Sequence, residues 1–266
     1  MGIRVGIGGW TYAPWRGVFY PEGLPHAREL EFASRAVTAI EINATYHRLQ
    51  SPSSFARWAE QTPAGFVFSV KASRVCTNRR NLGDGAEAVE RFFAQGLTEL
   101  GEKLGPIVWQ LMETKRFDAG EIAAFFALLP PSRDGISLRH AIEVRHETFC
   151  DPAFVAMARD ANVAIVYNDD PQRPQIADCT AGFVYARLHR TREDEPDGYT
   201  GAELQAWARA ARRWSNGESP PGLPYLEPKK ARATARDVFV FMIDGAKVRA
   251  PAAAQRLLQV LKGAAR

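Results

Sequence analysis

Cysteine is scarce in this sequence, and long apolar runs are absent from it. The 266 residues include only Cys76, Cys150 and Cys179, with no Cys-x-x-Cys spacing. This odd, unpaired set argues against a disulfide framework and a cysteine zinc site, so we expect reduced thiols in a cytoplasmic protein. No apolar stretch is long enough to span a bilayer, and a strand predicted to begin at Ile3 leaves no room for a signal peptide. We therefore expect no membrane partner.

The sequence also lacks a strong excess of either charge. Its 34 basic and 30 acidic residues give a net charge of +4, which permits a polyanionic partner without arguing for one. Hydrophobic residues make up 46% of the chain and charged residues 24%, which is typical of a globular protein with one substantial core. We predict one domain over residues 1–266, because α/β barrels of about 250 residues are single units.

Eight short apolar segments are predicted to be β-strands, and most are followed by a predicted helix. Capping pairs such as Thr200 with Glu203 mark several helix starts. Strict alternation implies a parallel sheet, and eight units favour a single α/β domain closed into a (β/α)8 TIM-like barrel. A doubly wound open sheet is the alternative, but no G-x-G-x-x-G follows the first strand. The predicted strands cover residues 3–10, 39–44, 66–72, 106–111, the start of 141–151, 163–167, 183–188 and 238–243.

Three connections carry specific expectations. Apolar residues at helical spacing predict one helix from about Gly85 to Leu104. The connection 171–181 is short and contains proline, so one β-α unit is expected to lack a full helix. Residues 215–236 form a proline-rich insertion, which we interpret as a surface loop or semi-rigid arm.

Polar side chains recur near the C-terminal ends of the predicted strands, where parallel barrel strands are usually apolar. In barrel enzymes this rim holds the active site. Burying so many ionisable groups would cost several kcal/mol each without good pairing, which favours function over filling. The predicted catalytic residues are Glu41, Lys71, Glu143, Asp169 and His189. The predicted substrate-binding residues are Trp10, Tyr12, Asn43, Tyr46, Gln110, Arg145, Arg187 and Lys247.

This set suits acid–base chemistry on an anionic substrate. Carboxylates tuned by neighbouring cations can act as general acid or base, and His189 can move a proton. Arginine can bind phosphate or carboxylate with two parallel hydrogen bonds. For each residue alone, a structural salt-bridge network is an equally good explanation, with Glu41 paired to Lys71 and Glu143 to an arginine. Lys71 is interpreted as a counter-ion rather than as a Schiff-base former.

No cofactor is predicted. A divalent metal held by Glu41, Glu143, Asp169 and His189 is conceivable. We favour a metal-free site, because no H-E-x-x-H or similar signature occurs.

The remaining histidines and aromatic residues are ranked below this set. His47 and His146 follow strand ends and are second-rank candidates, whereas His26 and His140 are interpreted as surface or loop residues. Trp15 is expected to cover the barrel mouth. The rim aromatics could stack on a sugar or base. A basic loop nearby could contact a nucleic-acid backbone, although a solvated loop is the preferred interpretation.

Several motifs resemble one known family over essentially the whole chain. They are GIGGW-x-Y-x-x-W-x-x-x-F-Y-P, AIEINATYHRLQSPSSFARWAEQTP, F-S-V-K, E-V-R-H, YARLHR and FMIDGAKVRAPAAAQRL. The chain resembles the domain of unknown function 72 family, also called YecE-like. The resemblance implies an α/β barrel and recurrent polar positions, but no activity, since the family has none assigned. Those positions fall on Glu41, Asn43, Lys71, Glu143, Arg145, Asp169, Arg187 and His189.

Three functions remain open. The first is a hydrolase or lyase acting on a phosphate-bearing or sugar-phosphate substrate at the C-terminal barrel mouth. The second is a nucleic-acid-binding or nucleic-acid-processing protein, and the third is a non-catalytic ligand-binding barrel. The sequence does not distinguish a monomer from a homodimer.

Overall fold

The computed structural model describes residues 2–227 and 234–263 of the chain. Eight parallel strands form a closed barrel in which neighbours in space are neighbours in sequence. The barrel closes where Ile3 of the first strand pairs with Val238 of the last. The predicted (β/α)8 TIM-like fold is therefore confirmed. The strands are β1 (Ile3–Gly8), β2 (Ala39–Ile42), β3 (Val67–Lys71), β4 (Leu104–Gln110), β5 (His140–Glu143), β6 (Ala164–Asn168), β7 (Phe183–Leu188) and β8 (Asp237–Met242).

Helices connect the strands, and local capping sets where several begin. The Thr200 hydroxyl accepts a hydrogen bond from the Glu203 N–H and the Glu203 carboxylate accepts one from the Thr200 N–H, so this predicted capping box is confirmed. As expected, residues 171–181 form no helix. No helix within the two described ranges is long and apolar enough to cross a membrane. The helices are α1 (Glu29–Ala36), α2 (Ala44–His47), α3 (Pro52–Gln61), α4 (Arg74–Thr77), α5 (Ala86–Phe93), α6 (Ala119–Ala127), α7 (Pro152–Asp160), α8 (Gly201–Ser215) and α9 (Ala250–Gly263).

Shorter elements complete the connections. A two-stranded antiparallel hairpin pairs Ser132–Arg133 with Ile136–Ser137, and the sequence pattern did not predict it. Six 3-10 helices lie in the loops. They span Ala13–Trp15, His26–Arg28, Leu82–Gly85, Leu97–Lys103, Glu147–Phe149 and Lys247–Arg249.

The helix predicted from Gly85 to Leu104 is wrong in its extent. α5 ends at Phe93, and Gly96 then takes a left-handed backbone conformation with φ +93° before the 3-10 helix begins. A Cβ at Gly96 would lie 2.8 Å from side-chain atoms of Pro52. A close contact with the start of α3 therefore accompanies this turn, and apolar spacing along the chain carries no information about it.

The proline-rich segment 215–236 is described except for residues 228–233. Its backbone is hydrogen-bonded to the connection that follows β6. The Asp178 carboxylate accepts from the N–H groups of Leu226 and Glu227 at 2.8 and 3.0 Å, and the Ala177 N–H donates to the Pro224 carbonyl at 2.8 Å. The described part of the insertion is thus a loop held against the barrel.

β1 and β2 approach each other closely at Gly6. This residue pairs with Ala39, and a Cβ built on Gly6 would lie 2.1 Å from the Ala39 carbonyl oxygen. Only glycine leaves room for the neighbouring backbone here. The glycine-rich first strand is therefore explained at this position by barrel packing.

Inside the barrel, the inner face of most strands changes from apolar to polar towards the C-terminal end. A cluster of buried apolar residues, including Ala39, Val108, Ala141 and Tyr185, fills the lower part. Because successive side chains alternate between the faces of a strand, residues two positions further on lie above this cluster. They are Glu41, Gln110, Glu143 and Arg187, all buried. This alternation places the polar set at the C-terminal mouth.

Candidate active site at the barrel mouth

A buried arginine joins two carboxylates from different strands. Arg187 Nη2 donates to Glu41 Oε1 at 2.9 Å, and its Nη1 donates to Glu143 Oε2. The exposed fraction of Arg187 is only 2%, and both glutamates are fully buried. The expected pair between Glu41 and Lys71 is wrong, because Arg187 takes that position. The opposite charges raise the pKa of Arg187 although burial alone would lower it.

Tyr185 completes the surroundings of Glu41. Its hydroxyl donates to Glu41 Oε2 at 2.6 Å and lies 2.7 Å from the Ser69 hydroxyl. Burial and the charge of Glu41 raise the pKa of Tyr185 far above its ordinary value, so the phenol stays protonated and serves as a donor. Both oxygens of Glu41 are thereby occupied by protein donors.

Glu143 has even more partners. Its carboxylate accepts hydrogen bonds from Gln110 Nε2 at 2.7 Å, from Arg145 Nε at 3.2 Å and from Arg173 Nη1 at 3.2 Å, besides the bond from Arg187. Burial raises the pKa of Glu143, but the charges of Arg187 and Arg145 and the Gln110 hydrogen bond outweigh it and bring the pKa to about 2. Glu143 is therefore a permanent anion that orients three guanidinium groups.

The two outer arginines, Arg145 and Arg173, are half-buried and pair with further carboxylates. Arg145 Nη1 lies 3.4 Å from Glu113, and Arg173 Nε lies 3.0 Å from Asp170. The sequence gave no signal for Arg173, because it lies in the irregular connection after β6 rather than on a strand. Each arginine of the mouth thus has a carboxylate partner.

Lys71, at the end of β3, differs from these arginines. Its ammonium nitrogen lies 4.2 Å from the centre of the Tyr46 ring. Among residues 2–227 and 234–263, no carboxylate lies within 4.0 Å of it and no side chain or carbonyl accepts a hydrogen bond from it. Burial and the charge of Arg187 lower the pKa of Lys71 from 10.5 to about 8. Lys71 is therefore a half-buried amine that titrates near neutral pH.

Lys247, which follows β8, has a similar environment. Its ammonium nitrogen lies 4.9 Å from the Tyr12 ring centre and 5.9 Å from the Trp15 ring centre. No carboxylate within the described ranges lies within 4.0 Å of it. Burial lowers the pKa of Lys247, whereas the charge of Glu41 raises the pKa of both lysines. Trp15 is fully buried and donates to the Lys247 carbonyl at 2.9 Å, so its expected covering role is confirmed.

Asp169 and His189 lie beside the arginine cluster and bond to each other's surroundings. Asp169 accepts from the His189 N–H and from the Tyr199 hydroxyl, and burial raises the pKa of Asp169 to about 6. His189 Nε2 lies 3.1 Å from Asn168 Oδ1. Burial and the charge of Arg187 lower the pKa of His189 to about 4, so this imidazole is neutral at pH 7.

Three buried polar atoms in this region have no hydrogen-bond partner among the described residues. They are Arg187 Nε, His189 Nδ1 and Asn168 Nδ2, which belong to the ends of β6 and β7 and the residue after β7. Unpartnered buried polar groups are rare and often mark a site that binds a polar molecule. Neither Asn168 nor Tyr199 was predicted to belong to the site.

Two predicted binding residues lie in packed positions. The Trp10 ring packs edge to face against Trp58, with ring centres 5.2 Å apart. The Asn43 amide lies close to β1, since a Cβ at Gly8 would lie 3.4 Å from Asn43 Nδ2. A ligand role for either stays a prediction.

One histidine was misplaced by the sequence interpretation. His140 is buried rather than at the surface. Its Nδ1 accepts from Trp109 Nε1 at 3.2 Å and its Nε2 lies 2.8 Å from the Pro130 carbonyl. His140 is at the start of β5, at the opposite end of that strand from Glu143.

No group of three or more His, Cys, Asp or Glu side chains in the described part of the chain could hold a metal ion. The four residues considered for a metal are divided between two arrangements. Glu41 and Glu143 are joined through Arg187, whereas Asp169 binds main-chain and tyrosine donors. The geometry thus gives a cationic, metal-independent arrangement.

Comparison with known proteins places the chain among relatives without an assigned activity. The family model described as "Protein of unknown function DUF72" matches residues 4–266. A DUF72 family protein from Thermotoga maritima MSB8 has a similar crystal structure, with a TM-score of 0.75, 21% identity, and coverage of 98% of this chain and 100% of that chain. No curated protein matches the sequence.

A DUF72 family protein from Enterococcus faecalis V583 is similar in two crystal structures. Their TM-scores are 0.68 and 0.67, with 15% and 14% identity. The similarity covers 98% of this chain in both cases, and 95% and 98% of the other chain. At such identities the likeness shows a shared fold.

Proposed function

The chain belongs to the DUF72 family of proteins of unknown function, and from that premise we propose that it is an enzyme. Its substrate is a small anion that carries a phosphate or a comparable group. The substrate binds at the C-terminal mouth, where Lys71, Arg145, Arg173 and Lys247 are half-buried. The reaction is acid–base chemistry of the hydrolase or lyase type.

The carrying observation is the charge pattern around Lys71. The buried carboxylates of Glu41 and Glu143 are already paired with arginine. Lys71 has no such partner in the described ranges, and burying an unpaired ammonium group is costly. An anionic substrate would supply the missing counter-charge, and the same argument applies to Lys247. Arg187 positions both glutamates but is itself too enclosed to be the first contact.

The pKa values favour particular roles. A proton-transfer group works best when its pKa is close to the working pH. The pKa of Lys71, about 8, and that of Asp169, about 6, meet this condition. Glu143, with a pKa of about 2, suits an electrostatic role. In this proposal Lys71 donates or accepts a proton at the substrate, and Glu143 keeps Arg145 and Arg173 in place.

Two measurements test the proposal. Isothermal titration with inorganic phosphate should give saturable binding, weakened roughly tenfold or more in Lys71→Met because a charge-assisted hydrogen bond is lost. Incubation with glucose 6-phosphate, ribose 5-phosphate and glycerol 3-phosphate should consume at least one of them, as followed by mass spectrometry. The Lys71→Met variant should abolish that turnover.

Arg133→Met is the matched control. Arg133 pairs with Glu90 on the surface at 2.8 and 2.9 Å, so its loss removes one cation away from the mouth. Phosphate binding that is equal in the wild type and in folded Lys71→Met would rule out the proposed site. Binding without turnover of any phosphate ester would leave a ligand-binding barrel in place of an enzyme.

A further inference from the structure

A separate cavity opens on the outside of the barrel, beside the loops that follow β2 and β3. It lies between the end of α2, the start of α4 and helix α5, and its volume is about 200 Å³. None of Glu41, Glu143 or Arg187 lines it. It is therefore distinct from the arginine cluster of the mouth.

The wall of this cavity is strongly cationic. Three arginines, Arg48, Arg79 and Arg91, line it against one carboxylate, Glu87. Arg79 is fixed by neutral acceptors, since its Nε donates to the Val75 carbonyl at 2.7 Å and its Nη1 to the Asp84 carbonyl at 3.2 Å. Main-chain carbonyls orient the guanidinium without neutralising its charge.

The other charged groups of the cavity are also not paired with each other. In the described ranges, no carboxylate lies within 4.0 Å of the guanidinium of Arg48 or Arg91, and Glu87 forms no ion pair within that distance. The cavity thus keeps an excess of positive charge, which favours an anion.

Its rim is apolar in an unusual way. Leu49 and Val75 have exposed fractions of 42% and 58%, and they are two of the three large hydrophobic residues exposed in the described chain. Both line the cavity. Exposed apolar side chains next to a concave charged surface are typical of binding sites. A ligand that contacts this wall completely has an anionic group and an apolar group.

We propose that this cavity is a second binding site for a small amphipathic organic anion, such as a carboxylate, sulfonate or phosphate attached to an aromatic or aliphatic group. The anionic group binds the guanidinium groups of Arg79 and Arg91, and the apolar group covers Leu49 and Val75. The site goes beyond the proposed function of the mouth and does not depend on it. Tyr46 lies between the two sites, because its ring contacts both Lys71 and the His47 ring, with centre distances of 4.2 and 5.1 Å.

The test uses the full chain and 8-anilinonaphthalene-1-sulfonate, a probe with an aromatic part and a sulfonate. Its fluorescence and calorimetric titrations should show saturable binding of one molecule per chain. The double variant Arg48→Met/Arg91→Met should weaken that binding by roughly tenfold or more. Both arginines are exposed, so the fold is expected to tolerate their replacement. The Val75→Asp variant should also weaken binding, since it places a carboxylate on the apolar rim.

Two control variants separate this site from the mouth. Arg133→Met should leave probe binding unchanged, and so should Lys71→Met. Loss of probe binding in Lys71→Met alone would move the ligand to the mouth and overturn the proposal. Superimposable titrations of the double variant and the wild type would also overturn it. Displacement of the probe by a single-stranded oligonucleotide, with an affinity that falls steeply with salt, would identify a nucleic-acid site instead.

Discussion

The ammonium nitrogen of Lys71 lies 4.2 Å from the centre of the Tyr46 ring. An aromatic face attracts a cation, yet this contact does not restore the ordinary pKa of the lysine, because burial and the charge of Arg187 act against it. Lys71 therefore combines a defined position with a titration close to physiological pH.

The low pKa of Lys71 can be measured by chemical labelling. The rate of its reaction with acetic anhydride, followed by peptide mass spectrometry, should be half-maximal near pH 8 in the folded protein. In the urea-unfolded protein the same peptide should reach half-maximal reactivity near pH 10.5, where burial is lost. Identical profiles for the folded and unfolded chains would contradict the described environment of Lys71.

Removing the charge of Arg187 should strongly destabilise the fold. Arg187→Met leaves Glu41 and Glu143 buried without their shared partner, which is expected to cost about 3–5 kcal/mol in the free energy of unfolding. Guanidinium chloride unfolding measures this change. Arg133→Met is the control, because its partner Glu90 is largely exposed and exposed pairs contribute about 1 kcal/mol or less. Equal losses in the two variants would show that the buried triad has no special role.

His189 should make the protein less stable in mild acid. Its folded-state pKa is about 4, compared with an ordinary value of 6.5, so between these values the unfolded chain binds a proton that the folded chain rejects. Stability is therefore lost as the pH falls from 6.5 to 4, by on the order of 3 kcal/mol. Asp169, with its raised pKa, acts in the opposite direction.

A His189→Gln variant isolates this contribution, because Asp169 remains in both proteins. The wild type should lose more stability than the variant when urea unfolding at pH 7 is compared with unfolding at pH 4. Parallel pH profiles for the two proteins would mean that His189 is protonated as readily in the folded state as in the unfolded state.

Gly6 should tolerate no side chain. In Gly6→Ala the new Cβ meets the Ala39 carbonyl oxygen, 2.1 Å away before any shift, and β1 would have to separate from β2. We expect a loss of about 3 kcal/mol or more in the free energy of unfolding. A Cβ at Gly182 meets no atom within 4 Å, so Gly182→Ala should change stability by less than about 0.5 kcal/mol. Thermal unfolding of both variants makes the comparison.

The amino-acid sequence by itself determined the fold class and the end of the barrel that carries the site. Helix caps such as Thr200 with Glu203 depend on residues three positions apart, and the alternation of Ala39 with Glu41 depends on residues two apart. Such patterns are local. All strands of a parallel barrel end at one rim, so a local pattern was enough to bring Glu41, Glu143 and Arg187 to the same mouth.

Only the tertiary structure decided which of these groups touch. Arg187 bonds to Glu41 across 146 residues of sequence, and the two strands that carry them, β2 and β7, are not neighbours in the sheet. Strand periodicity assigns a side chain to the inner face but not to a partner across the lumen. Which cation wins each carboxylate depends on the distances fixed by barrel closure, and that competition left Lys71 without one.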